Sequence, residues 1–298
     1  MISKKTVLIT GCSNGGIGSA LARTFHHRGW HVFATARDTS KMSELNGLSD
    51  LTQLTLDLVK SDDIKVVAEH VSKLAQGKLD CLVNNAGRNH FMPILDEDLD
   101  VVKDLFQINF YGPLALTQAF VPLLTASEGM AVYITSISGY VSNKYMGTYA
   151  ASKRSLEIVA DTLRHEIAPF GVGVLEVVTG DVKTNGQTYL GDIKLPPDSW
   201  YKSQEDDITN MAQGKGGFPK METDDYATGV VNEIINRTTG RFWYGNNADL
   251  VRITTTATDV PQSVIASRII SRRVTHLLTK PTQDAVTLTG TGLDAFGQ

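Results

Sequence analysis

The sequence predicts an α/β fold built on a single parallel, doubly wound sheet with helices on both faces. Three observations carry that prediction. Short apolar, β-branched runs alternate with segments of helical period, the pattern of parallel strands joined by right-handed crossovers. The first run leads straight into a glycine-rich turn and then a helical segment. No repeat with a period of roughly 20–50 residues interrupts the alternation, and the 298 residues suit an α/β fold in one piece.

Thr6-Val7-Leu8-Ile9-Thr10 reads as a buried parallel strand. Gly11-Cys12-Ser13-Asn14-Gly15-Gly16-Ile17-Gly18 follows, and Leu21, Ala22 and Phe25 mark a helix that stops at Gly29. Glycines in such a turn let a pyrophosphate approach the N–H groups of a helix N-terminus. Gly11, Ser13, Asn14, Gly16, Ile17 and Gly18 are therefore candidate cofactor contacts in a Rossmann-type unit; the alternative is an ordinary βα loop. The second strand, His31 to Ala36, ends at Arg37. An acid there would suit the ribose 2′-hydroxyl of NAD, whereas an arginine suits the 2′-phosphate of NADP, with Ser13, Asn14 and Lys41 near it. Leu54-Thr55-Leu56 is a third strand, ending at Asp57-Leu58 beside the expected adenine. The fourth, Leu79 to Val83, runs into Asn84-Asn85-Ala86-Gly87, and Val174 to Val178 is the sixth.

Tyr149-Ala150-Ala151-Ser152-Lys153 is the chemically richest stretch. Residues four apart share one face of a helix, so the phenol and the ammonium lie side by side. A neighbouring cation is expected to pull the tyrosine pKa down from about 10. Tyr149 could then exchange a proton with an alcohol or ketone oxygen near neutral pH. Most Tyr-x-x-x-Lys pairs are solvated helix faces; the nucleotide-binding start and Asn-Asn-Ala-Gly set this one apart.

The ordered set of Thr10-Gly11 with Gly15, Gly16 and Gly18, Asn84-Asn85-Ala86-Gly87, Asn109, Ser136, and Tyr149 with Lys153 resembles the short-chain dehydrogenase/reductase family. The likeness implies an Asn109-Ser136-Tyr149-Lys153 tetrad and nicotinamide hydride transfer. Ser136, thirteen residues before Tyr149, would hold the substrate carbonyl, with Ser138 as its rival. Tyr149 would protonate that oxygen, Lys153 would hold the cofactor ribose, and Asn109 would help hold a relay water. The resemblance also places Asn85, Ala86, Gly87, Val182 and Thr184 against the cofactor, with Tyr149 and Lys153.

Two departures narrow the likeness. The phosphate loop carries one extra residue, and Thr179-Gly180-Asp181 stands where the family usually has Pro-Gly. With Ala34-Thr35-Ala36-Arg37, Leu195-Pro196-Pro197 and Gly217-Phe218-Pro219-Lys220-Met221, they resemble the fungal NADPH-dependent 1-acyldihydroxyacetone-phosphate reductases. NADP(H) and a small-molecule ketone, lipid-like in that subgroup, are the implied partners, with a homodimer or homotetramer built on helices near 98–125 and 149–168. Other readings stay open: a pathway reductase acting on a natural-product ketone, aldehyde or imine, a scaffold diverted to cyclisation or isomerisation, or a non-catalytic NADPH-binding regulator.

Net charge −4 and a pI near 6.0 give no nucleic-acid footprint. Cys12 and Cys81 suggest neither metal nor disulfide, and the seven histidines lack ligand spacing, with His90 a candidate pocket residue. Residues 185–225 break the βα rhythm and read as a substrate loop with Tyr189, Leu190, Leu195, Trp200, Tyr201 and Met211 as apolar anchors. Arg88, Lys144, Lys183 and Lys202 could attract an anionic substrate. Residues 1–280 are expected to form the catalytic domain and 281–298 a flexible tail. The stretch from Ile253 is polar, no signal peptide precedes the first strand, and no run approaches a membrane span, so a cytoplasmic protein is expected. Peripheral contact with the ER or lipid droplets would come at most from an amphipathic helix at 261–274.

Overall fold

The computed structural model describes residues 4–187, 191–215 and 219–256. Tyr189, Leu190, Gly217, Phe218, the 261–274 segment and the 281–298 tail lie outside the described residues.

Seven strands form one sheet: β1 (Thr6–Thr10), β2 (His31–Ala36), β3 (Leu51–Thr55), β4 (Cys81–Asn84), β5 (Met130–Ile134), β6 (Gly173–Thr179) and β7 (Gly240–Tyr244). Their order is β3-β2-β1-β4-β5-β6-β7, and every pairing is parallel. The chain reverses its winding between β1 and β4, so a ligand crevice opens there at the carboxyl ends of the strands.

The helices are α1 (Ile17–His27), α2 (Ser61–Leu74), α3 (Leu99–Phe106), α4 (Gly112–Ser127), α5 (Gly147–Ile167), α6 (Glu205–Ala212), α7 (Thr223–Ile235) and α8 (Ala248–Thr256). Alternating strand residues feed two cores. Val7 and Ile9 pack with Leu21 and Phe25 of α1 and Val230 of α7. Leu8 and Tyr133 face the other way, onto Val67 of α2, Phe120 of α4 and Leu156 of α5. Burial on both faces is why these strands read as unbroken apolar runs.

Strand ends differ modestly from expectation. β3 starts earlier, because Leu51 already pairs with Val32. β4 starts later, because the N–H of Leu79 bonds the carbonyl of Leu123 at the end of α4. α3 and α4 form one helical run joined by a π-turn at Gln107–Tyr111, with Asn109 inside it. The 185–225 region holds α6, whose Ile208 and Ala212 are buried.

Candidate active site

The cofactor half of the site sits where β1 meets α1. Gly11 and Gly15 have φ of +74° and +66°, in the left-handed region that favours glycine. A Cβ on Gly18 would stand 2.3 Å from the carbonyl oxygen of Gly11, so only glycine lets α1 start this close to the strand. Gly16 caps α1 without a side-chain bond, and no acid occupies the first turn. That end fits a diphosphate, by its orphan N–H groups and its dipole.

Asn85 is tied to the phosphate loop. Its amide donates to the carbonyls of Thr10 (2.7 Å) and Gly11 (3.2 Å), so the side chain shapes the phosphate loop. The Thr10 hydroxyl in turn accepts the N–H groups of Asn85 and Ala86. Glu44 was not anticipated. Its carboxylate accepts from Gly15 N (3.1 Å), Ser19 Oγ (2.9 Å) and Arg23 (2.8 Å). The side chain of Asn14 is held by Ser43 and by the N–H of Glu44. These contacts span about 30 residues of sequence, beyond any local spacing rule, and they anchor the doubled-glycine loop.

Arg37 lies exposed just past β2. The next residue, Asp38, spends its carboxylate on the N–H and hydroxyl of Ser40, which hold its pKa below the usual range. Asp57 accepts from the N–H of Val59 in the β3–α2 turn, and Leu58 packs against Gly112 at the start of α4.

The far wall is the segment after β6. Thr179, in place of proline, pairs its hydroxyl with the phenol of Tyr226 at 2.6 Å, satisfying a group buried in the core. Asp181 accepts from Asn247 at 2.7 Å, and its backbone bridges Asn246 and Met221. Burial raises its pKa. Its place is thus a clamp between the β6 loop and the β7–α8 turn. The N–H of Asn185 bonds the carbonyl of Gly15 (3.2 Å), which draws Val182 and Thr184 up to the phosphate loop.

The catalytic half forms around α5. Ser136 caps a short turn after β5; its oxygen accepts from the N–H of Ser138 (3.1 Å), and its hydroxyl donates to Ser138 Oγ (3.2 Å). The Ser136 hydroxyl stands close enough to Tyr149 to oppose, in part, the effect of burial on the phenol. Ser136 therefore stands between Tyr149 and its rival Ser138. Lys153 Nζ donates to the carbonyl of Ile134 at 3.0 Å. Asn109 is fully buried and donates to the carbonyl of Arg88 and to Ser152 Oγ, both at 3.0 Å, while accepting from the N–H of Arg88. A Cβ on Gly87 would lie 3.1 Å from both Asn109 Oδ1 and Lys153 Nζ, so Asn109, Gly87 and Lys153 converge at one point.

The electrostatics correct one expectation. Tyr149 is not pulled down by Lys153: burial raises its pKa, and Ser136 only partly offsets this. Burial also lowers Lys153, to about 8. Burial shifts both groups toward their neutral forms, while the Lys153 side chain is held by the carbonyl of Ile134.

His90 is buried, and its Nε2 lies 2.7 Å from Glu97 Oε2, whose other oxygen accepts from Thr148 at 2.6 Å. That chain ties the loop after β4 to the start of α5, one residue before Tyr149. Of the candidate anion-binding cations, Lys183 pairs with Glu222, Lys202 with Glu205, and Arg88 bonds the carbonyl of Val101. Trp200 is 86% exposed and covers nothing; Leu195 is buried.

The sequence profile of the short chain dehydrogenase family matches residues 5–193. A short-chain dehydrogenase of Penicillium crustosum is 44% identical over 247 residues, spanning 83% of this chain and 90% of the relative. An NADPH-dependent 1-acyldihydroxyacetone phosphate reductase of Schizosaccharomyces pombe is 41% identical over 248 residues, 82% of each chain. Among solved structures, a short-chain dehydrogenase from Streptomyces avermitilis superposes with a TM-score of 0.74 at 28% identity, covering 93% of this chain and 99% of that one. With the glycine-lined crevice and the Ser136–Tyr149 pair, these likenesses identify the chain as a member of the short-chain dehydrogenase family, an oxidoreductase acting on alcohol and carbonyl groups.

Proposed function

We propose that the protein reduces a small-molecule ketone or aldehyde to the alcohol with NADP(H), using Tyr149 as the general acid. The observation that carries this reading is the placement of the Ser136 hydroxyl beside the buried Tyr149, one helical turn from Lys153. The reduced nicotinamide supplies a hydride to the carbonyl carbon. Ser136 holds the carbonyl oxygen, and the Tyr149 hydroxyl gives that oxygen its proton. Lys153 binds the cofactor ribose, while Asn109 and Gly87 fix the space beside its ammonium. Gly11, Ser13, Asn14, Gly16, Ile17 and Gly18 cradle the diphosphate end, and Ala86 and Gly87 line the crevice. Val182 and Thr184 close it from the β6 side. Arg37 selects the 2′-phosphate, supported by the engagement of Asp38 elsewhere and by the NADPH dependence of the fission-yeast relative.

Two substrate classes fit this chemistry: an acyl-dihydroxyacetone phosphate, from the fission-yeast relative, and a natural-product ketone. We further propose a homo-oligomer that covers Tyr111 of the π-turn and Ile158 of α5, both about half exposed. No helix of the described residues is long and apolar enough to cross a membrane.

The test is NADPH oxidation by the purified protein, with Tyr149→Phe in parallel. Loss of a general acid costs about 10²–10⁴ in kcat; the variant should lose that much while NADPH affinity stays within twofold. A variant that keeps its turnover sinks the assignment. Tight NADPH binding with no turnover of any carbonyl points to a binding role.

A further inference from the structure

A cleft of about 770 Å³ adjoins the catalytic residues, within the size range of small-molecule sites. It lies between the β5–α5 connection, the first turns of α5 and the 201–204 segment. Tyr149 and Ser136 do not line it. It reaches them through Ser138, whose hydroxyl bonds Ser136, and through Gly147 and Ala150, which flank Tyr149 along α5.

Its walls are aromatic. Tyr140 is packed on Trp243, ring centroids 4.5 Å apart, and the Arg154 guanidinium lies 4.6 Å over the Tyr140 ring. Tyr145 and Tyr201 meet edge to face at 6.4 Å, and the Tyr145 hydroxyl donates to Gln204 at 2.6 Å. That bond fixes the 201–204 segment as one side of the cleft. Pro93 and the well-exposed Ile94 form the side facing it.

Of its two lining cations, Arg154 is held by the Glu157 carboxyl at 2.7 Å and by the Tyr140 ring, and Lys144 is the other. A phosphate dianion is held best by several convergent cationic donors, and here the guanidinium already lies on Tyr140 and Glu157. Tyrosine faces and edges, by contrast, favour offset or edge-to-face contact with other aromatic rings.

We propose that this cleft is the specificity subsite of the carbonyl site and holds the body of an uncharged, ring-bearing aromatic ketone, with no place for a phosphorylated headgroup. The proposal rests on Tyr149 as the acid of the reaction. The ring system lies against the Tyr145–Tyr201 pair, and the carbonyl extends past Ser138 to Ser136 and Tyr149. Tyr145 and Tyr201 thereby set substrate choice without handling the proton.

The experiment compares 1-tetralone with hexadecanoyl-dihydroxyacetone phosphate as substrates for NADPH oxidation by the full-length protein. Tyr145→Ala and Tyr201→Ala are assayed beside wild type, and calorimetric titration of 1-tetralone into the NADPH-loaded protein reports binding apart from turnover. Expected is at least tenfold higher kcat/KM for 1-tetralone. Each alanine should raise its KM roughly 3- to 10-fold, the size of an aromatic-pair contact, with kcat and the NADPH KM within twofold. Preference for the phosphorylated ester overturns the proposal, as does an unchanged KM in both variants. If neither ketone is reduced, 1-tetralone binding that Tyr145→Ala abolishes supports the subsite while removing the reductase reading. Absence of 1-tetralone binding overturns the subsite outright.

Discussion

Glu157→Gln should make the protein more stable at pH 8, although it deletes a buried charge-bearing group. Glu157 lies two turns beyond Tyr149 on α5 and is 1% exposed; Glu176 of β6 is 2% exposed. The two buried carboxyls lie close enough to act on each other's ionisation, and both are pushed toward the protonated form. Arg241 reaches both, at 3.6 and 3.3 Å. Burial, and then the neighbouring Glu176, push Glu157 up to about 10 from an ordinary 4.5. In the unfolded chain Glu157 is ionised above pH 4.5; in the fold it keeps its proton to about 10. The folded state therefore holds one more proton across that window. Its stability is greatest below 4.5 and falls by about 1.4 kcal/mol per pH unit as the pH rises. At pH 7.5, three units above the ordinary value, the cost is on the order of 4 kcal/mol. Glutamine keeps an N–H for Glu176 and an oxygen for Arg154, yet has no proton to retain. Urea unfolding of both proteins at pH 6, 7, 8 and 9 measures the effect. The wild type should lose stability with pH, and the variant should gain most at pH 9 and least at pH 6. Parallel pH slopes, or a variant less stable than wild type at pH 9, would refute the retained proton on Glu157.

Three further outcomes are expected. Arg37→Ala should weaken NADPH about 10- to 100-fold in calorimetric titration, the loss of a charge-assisted phosphate contact, with NADH affinity within twofold; equal losses for both cofactors would place the arginine away from the 2′-phosphate. Glu97→Gln leaves an amide between His90 and Thr148 and should lower thermal stability by about 1–3 kcal/mol together with kcat, since both bonds hold the start of α5; unchanged kcat would confine the chain to a structural part. Carbonyl reduction should stay level from pH 6 to 8, whereas oxidation of the product alcohol should climb with pH, because burial keeps Tyr149 protonated; a reduction rate falling through neutrality would contradict that.

The parallel sheet and its crevice were legible because they are written in local patterns. Runs such as Thr6–Thr10 are apolar on both faces, and the glycines of the following turn sit where φ is positive or a Cβ would collide. Asn109, Ser136, Tyr149 and Lys153 were found because they stand at fixed offsets within identifiable motifs. What escaped was tertiary. Glu44 meets Gly15, Thr179 meets Tyr226, and Glu157 meets Glu176 only once distant strands and helices pack. The tyrosine's pKa was misjudged for the same reason. Helical spacing places Lys153 beside it, but desolvation and the carbonyl of Ile134 are set by β5, which spacing does not describe.

The raised tyrosine pKa bears on which way the reaction runs. An acid catalyst must hold its proton until the moment of transfer, and a base catalyst must have lost it. On the proposed reading, burial favours the protonated form of Tyr149, and Ser136 opposes that shift in part. Lys153, brought down to about 8, changes charge close to neutrality and is the group best placed to tune that proton. In this arrangement the site is ready to give a proton to a carbonyl oxygen. To take one from an alcohol, the ammonium would first have to leave the carbonyl of Ile134 and face the phenol. The same residues serve both directions, but their burial makes reduction the one that needs no prior ionisation.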